Sequence, residues 1–340
     1  MKKRKGFLVA VGVVVATVVG AQSNDVPQET VKALGAMAQK GIETFEWGFL
    51  VESEGFYGKT GSEQFSDLVL ATVEFTMDAT VNEWLSGHVG LLWEEDDTEE
   101  NNLDEGFIIV GGGEAFSTYA VAGRFYLPFG NFESAFVSDP LTLELAEINQ
   151  SSVMAGYDAE WFGLSAGAFK GGNEDVIENG YAAVHATLPD TLDIGAYWLS
   201  DLSETASQFD VSEGLGLNEK NGGAGAYANL YLGPVTVNAE FVSGLEKYAT
   251  GATPMAYNLE ASFNFFEKWL AGIKFEKSED LYFWDSEALT TVKYHEKGYG
   301  AVVSYGFNDH AALSAEYLRL EKLDNDEDGH LVTLQLTFEI

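Results

Sequence analysis

Acidic side chains dominate the chemistry open to this chain. Its 340 residues carry 54 Asp plus Glu against 18 Lys plus Arg, a formal net charge of −36, with no Cys. Lack of Cys excludes a thiolate nucleophile, a disulfide and Cys-bound zinc. The charge argues against nucleic acid as a partner, because phosphate binding needs clustered cations that displace counterions. Glu46, Glu52, Glu74, Glu240, Glu260 and Glu316 occupy polar positions of segments whose alternate residues are apolar. Arg124 and Lys274 are the main cations at equivalent positions. Carboxylates gathered on one face suit ion and solute passage, since rings of acids in a pore favour cations.

Other constellations carry less. Asp324, Asp326, Asp328 and Gly329 match the first half of a calcium loop, but Gln335 stands where the bidentate Glu belongs. The three acids are weak calcium candidates, and a solvated acidic hairpin is the competing reading. Gly58-Lys59-Thr60 has the ending of a phosphate-binding loop, yet Ser53 replaces its first Gly and strand residues follow, so it reads as a turn. His88 and His185 fall on the inward parity of different segments without a metal-ligand pattern. Neither offers a Ser or Asp partner for hydrolysis, so no enzyme and no cofactor is expected.

These side chains need elements to position them. Lys2, Lys3, Arg4 and Lys5 precede an apolar run over 7–19 and small residues at Val19-Gly20-Ala21, the pattern of a cleaved signal peptide over 1–21. The run is too short to span a bilayer as a helix. Residues 22–44 form a helical segment, with Val31, Leu34, Met37 and Ile42 near helical spacing; it is a periplasmic linker or a plug. From Phe45 to Ile340 the period becomes two. Phe45, Trp47, Phe49 and Val51 alternate with Glu46, Gly48 and Glu52; Val235, Val237, Ala239 and Phe241 alternate with Asn238 and Glu240.

The spacing predicts sixteen strands joined by alternately short and long connections, with short ones such as Pro189-Asp190 and Gly233-Pro234 and long ones over 94–104, 128–148, 201–222, 278–297 and 322–329. That asymmetry on an even strand number is the pattern of a transmembrane antiparallel β-barrel. Trp84, Phe116, Trp161, Phe265, Trp269 and Phe307 beside short turns, and Trp93, Phe107, Tyr257, Phe275 and Tyr299 toward long loops, make two aromatic girdles. The fold class is therefore all-β, a transmembrane barrel of sixteen strands over 45–340, after a signal peptide and a short helix. Its location would be the outer membrane of a Gram-negative bacterium, with membrane lipid and lipopolysaccharide as partners and a homo-oligomer as an option.

The stretch Arg124-Phe125-Tyr126-Leu127-Pro128-Phe129-Gly130-Asn131-Phe132-Glu133, followed by Ser138-Asp139-Pro140-Leu141-Thr142-Leu143-Glu144-Leu145-Ala146-Glu147, resembles the siderophore-porin family typified by the legiobactin-uptake protein. Weaker similarity extends from the N-terminal helix to the C-terminus. The resemblance implies an outer-membrane barrel associated with uptake of ferric siderophores and lacking a large plug. Such barrels commonly finish on Phe, whereas this chain ends Phe338-Glu339-Ile340.

The same segment follows the fifth strand and opens with Pro128-Phe129-Gly130, residues that end pairing and turn the chain. In porins the corresponding loop folds inward. Here that would bring Glu133, Asp139, Glu144 and Glu147 to a constriction, with Arg124 and Tyr126 at its foot; a solvated outer loop is the alternative. The chain reads as a channel for small solutes with a cation-preferring lumen. A general diffusion porin and a structural or adhesive barrel are the competing functions.

Overall fold

The computed structural model describes residues 42–95, 102–113, 116–172, 176–215, 220–248, 251–285, 290–321 and 327–340. The expected signal peptide, almost all of the helical segment, Asp324 and Asp326 lie outside them.

The strands of the first half are β1 (Thr44–Thr60), β2 (Glu63–Asn82), β3 (Leu85–Trp93), β4 (Leu103–Gly111), β5 (Thr118–Tyr126), β6 (Asn149–Asp158), β7 (Phe162–Phe169) and β8 (Asn179–Leu188). The second half contributes β9 (Leu192–Leu199), β10 (Gly223–Leu232), β11 (Val235–Gly244), β12 (Met255–Phe265), β13 (Trp269–Glu279), β16 (Lys297–Asn308), β17 (Ala311–Glu321) and β18 (Gly329–Glu339). These sixteen close into one antiparallel barrel in chain order, β18 pairing with β1 from Leu50 opposite Glu339 to Thr60 opposite Gly329. Two short strands, β14 (Tyr282–Asp285) and β15 (Thr290–Lys293), form a separate hairpin between β13 and β16.

Closure leaves no sheet edge around the barrel, so strand N–H and C=O groups find partners between neighbours. The outward positions are apolar and open: Leu259 is 49%, Ile273 66% and Leu334 52% exposed. Water would disfavour such a band, and a hydrocarbon layer would accept it. Short connections lie at the end that holds Thr44 and Glu339; the long ones lie at the other.

Two local expectations change. β1 and β2 continue past Glu52 and Val69 as a paired hairpin to Thr60 and Glu63, so Gly58, Lys59 and Thr60 are strand residues. The turn falls at Gly61, whose φ of +56° suits glycine. Apolar alternation fades over this extension because pairing alone, without lipid burial, holds it. The long connections also carry helices, α1 (Leu141–Ala146) and α2 (Ala206–Leu215), and a 3-10 turn (Leu202–Glu204).

Candidate pore constriction

Residues 127–148, between β5 and β6, pack into the barrel interior. Phe129, Leu145 and Ala146 are fully buried, in a cluster with Phe169, Tyr181, Tyr197, Leu199 and Leu202. Phe129 meets Tyr197 edge to face at 5.0 Å. Burying these side chains provides the driving force for the inward fold.

Backbone polarity supplies its register. An inserted loop brings N–H groups that no strand can satisfy, and wall carboxylates accept them. Glu240 on β11 takes Asn131 N at 2.8 Å, Phe132 N at 3.1 Å, Thr142 Oγ1 at 3.1 Å and Tyr197 Oη at 2.7 Å. Phe132 has a φ of +53°, which turns two consecutive N–H groups toward that carboxylate. Glu260 on β12 takes Ser134 Oγ at 2.8 Å and Ala135 N at 3.0 Å. Glu316 on β17 takes Val137 N at 2.7 Å and Ser138 N at 3.1 Å. Leu141 N reaches Glu276 on β13 at 3.4 Å, and His295 lies 2.6 Å from the other oxygen of that carboxylate.

Lys274 sits at the centre. Its Nζ donates to Ser138 O at 2.9 Å, lies 3.9 Å from both Glu260 and Glu276, and stands 4.8 Å over the Phe136 ring. Lys274 and Glu260 are 4% and 1% exposed, so these two charges hold the loop against the wall and are withdrawn from any solute path. Glu133 on the loop accepts Asn229 Nδ2 at 2.8 Å and Tyr231 Oη at 2.9 Å.

The uncovered wall is different. Glu46 is exposed, and Glu52, Glu54, Glu74 and Glu105 are half-buried on the inward face of β1, β2 and β4. Glu52 accepts Thr337 Oγ1 at 3.1 Å and Glu54 accepts Gln335 Nε2 at 2.8 Å. Among the described residues, β2, β3 and β4 contain no Lys or Arg, and β1 contains only Lys59 near the hairpin tip. Asp139 faces this side from the loop. Desolvation raises its carboxyl above the ordinary range, and Glu52 and Glu316 push it the same way against the pull of Lys274. Glu144, bonded to Tyr294 Oη at 2.5 Å, is raised by burial. Burial lifts Glu147 to about 7, helped by Asp139, Glu144, Asp104 and Glu94.

Arg124 and Tyr126 are corrections. On β5 it is Val121 and Phe125, 7% and 5% exposed, that enter the interior cluster, so Arg124 and Tyr126 take the opposite face. There Arg124 Nε donates to Asn149 Oδ1 at 3.3 Å, and Tyr126 Oη to Asp104 at 3.3 Å. Alternation predicts apolar residues outward; at β5 the interior is itself apolar, which reverses the sense. Phe107 follows suit, stacked inside on His88 at 4.8 Å instead of joining a girdle.

Sequence reasoning left out Glu54, Glu105, Glu276 and His295. The parity of Glu54 with Glu52, and of Glu276 with Lys274, held the signal for two of them. His88 bonds Asp78 at 2.9 Å, His185 is exposed, and Asp328 lies 3.6 Å from Arg319. No cluster of three His, Cys, Asp or Glu with metal-binding geometry occurs among the described residues.

The architecture is that of the sixteen-stranded porin barrels. A Salmonella typhi OmpF structure superposes with a TM-score of 0.62 at 13% identity over 87% of this chain and 97% of that one. OmpT of Vibrio cholerae, solved in a trimer form, gives 0.59 at 14% identity over 87% and 99%. An anion-selective porin from Comamonas acidovorans gives 0.61 at 10% identity over 87% and 99%. In sequence, the chain is 25% identical over 244 residues to a UPF0422 protein of Coxiella burnetii, covering 63% of this chain and 52% of the relative. A UPF0422 protein of Legionella pneumophila is 29% identical over 102 residues, 28% of this chain and 19% of the relative. The chain thus spans about half or less of the curated relatives it matches. No family model matches it.

Proposed function

We propose that this chain is an outer-membrane porin whose passage for small solutes runs between the inserted loop and the acidic wall of β1–β4, and that it prefers cations. The observation that carries this reading is the division of labour among the carboxylates. Glu240, Glu260, Glu276 and Glu316 anchor the loop on one side. Glu46, Glu52, Glu54, Glu74 and Glu105 remain inward on the other, with Glu52 and Glu54 nearest Asp139. Fold does not set ion preference, since a barrel of the same architecture is anion-selective by its own description. The preference argued here rests on these side chains alone.

The test is reconstitution in planar bilayers. Reversal potentials in a potassium chloride gradient should favour potassium, and an anion preference at low salt would reject the reading. Ferric siderophores, the cargo implied by the resemblance of 124–147, are the first solutes to add as blockers.

A further inference from the structure

Inside the barrel, away from the anchored loop segment, a cavity of about 570 Å³ opens on the wall formed by β2–β6. Its apolar lining includes Phe107, Tyr119, Phe125 and Met154, and its polar lining includes the carboxylates of Glu83, Glu105 and Asp158. Aromatic contacts pack the walls together. Phe107 is stacked on His88 at 4.8 Å and packed edge-on to Phe125 at 5.7 Å. Tyr119 packs against Gly156, where a Cβ would come within 2.2 Å of its ring, so only glycine leaves room for that side chain.

The geometry points to a binding site for an amphipathic organic cation, an ammonium group on an aromatic or alkyl body. The argument is complementarity. The volume falls within the ~300–1,000 Å³ range of small-molecule pockets, and the aromatic faces offer the negative side of their quadrupole. Glu105 adds a formal charge, Asp78 lies behind His88 at 2.9 Å, and none of the residues lining the cavity is Lys or Arg. An anion of the same shape would meet repulsion from every charged lining residue. A small inorganic cation would find the charges but leave the aromatic surface uncovered. Glu83, Gly112 and Asp158 place the site toward the short-turn end of the acidic passage, so the inference deepens the channel reading and rests on it for physiological meaning.

The experiment uses full-length protein in detergent and in bilayers, with benzyltrimethylammonium as probe, tetramethylammonium as the cation without a ring, and benzenesulfonate as the ring without the cation. Calorimetry should show binding of benzyltrimethylammonium alone. Glu105→Gln and Phe107→Leu should each weaken it about threefold to tenfold, the span expected for one cation contact of this kind. The same probe should block current with parallel losses in the two variants. Equal binding of all three probes, or wild-type affinity in both variants, would overturn the site. Calorimetric binding with no conductance at all would leave the site standing and remove the channel reading instead.

Discussion

Glu147 stands at the foot of the inserted loop, its carboxyl lifted by burial and by four neighbouring acids to about 7 from an ordinary 4.5. Between those two values the folded chain keeps a proton that the unfolded chain has released. Its contribution to stability is therefore present below the lower value and falls as pH rises toward 7. Glu147→Gln should thus melt higher than the parent at pH 8, with the gap closing at pH 5. Circular dichroism melts at both pH values check it. Ionisation of Glu147 also adds negative charge at the loop's foot, so cation preference should grow between pH 6 and 8 and this step should vanish in the variant. Arg124 gives the opposite expectation. Because it sits across β5 from Val121 and Phe125, Arg124→Ala should leave the reversal potential unchanged; a clear shift would place it in the lumen after all.

At the scale of elements, the loop over 127–148 depends on wall acceptors that its own strand neighbours cannot supply. Glu240 alone receives two backbone N–H groups and two hydroxyls. Glu240→Ala would leave those buried donors unsatisfied, at a cost of about 1–3 kcal/mol for each group so stranded. Open-channel noise should increase and the loop should become cleavable by added protease, while barrel content by circular dichroism stays constant. Deleting residues 133–144 should raise single-channel conductance, because a constriction sets the resistance of a pore more than its vestibules do. Conductance equal to the parent's would show that the loop does not bound the narrowest section. Loops from elsewhere brace this one: Ala206 N donates to Glu147 O at 3.0 Å and Tyr294 Oη to Glu144 at 2.5 Å. Shortening the connection that carries α2 should therefore loosen the insert.

For the whole molecule, a closed barrel with an apolar outer band should need detergent, give a β-type spectrum and migrate faster unheated than boiled on a denaturing gel. Cation preference should weaken as salt rises, because the screening length falls from about 10 Å at 0.1 M to about 3 Å at 1 M. A preference independent of salt would point to contacts tighter than the half-buried acids of β1–β4.

Alternation along each strand determined the sixteen-stranded barrel and the side on which Glu52, Glu74, Glu240, Glu260 and Glu316 fall, because a strand with one face toward lipid must keep period two over its membrane-crossing length. The tertiary structure alone decided which of these carboxylates the loop occupies and which it leaves beside the passage. That depends on contacts between residues about a hundred or more apart, such as Asn131 with Glu240, and no local pattern encodes them. It also decided the inward turn of Val121 and Phe125 and the outward turn of Arg124. Polarity reports the side of a strand only where the inner wall is polar, and beside β5 that wall is built from Phe107, Val121 and Phe125.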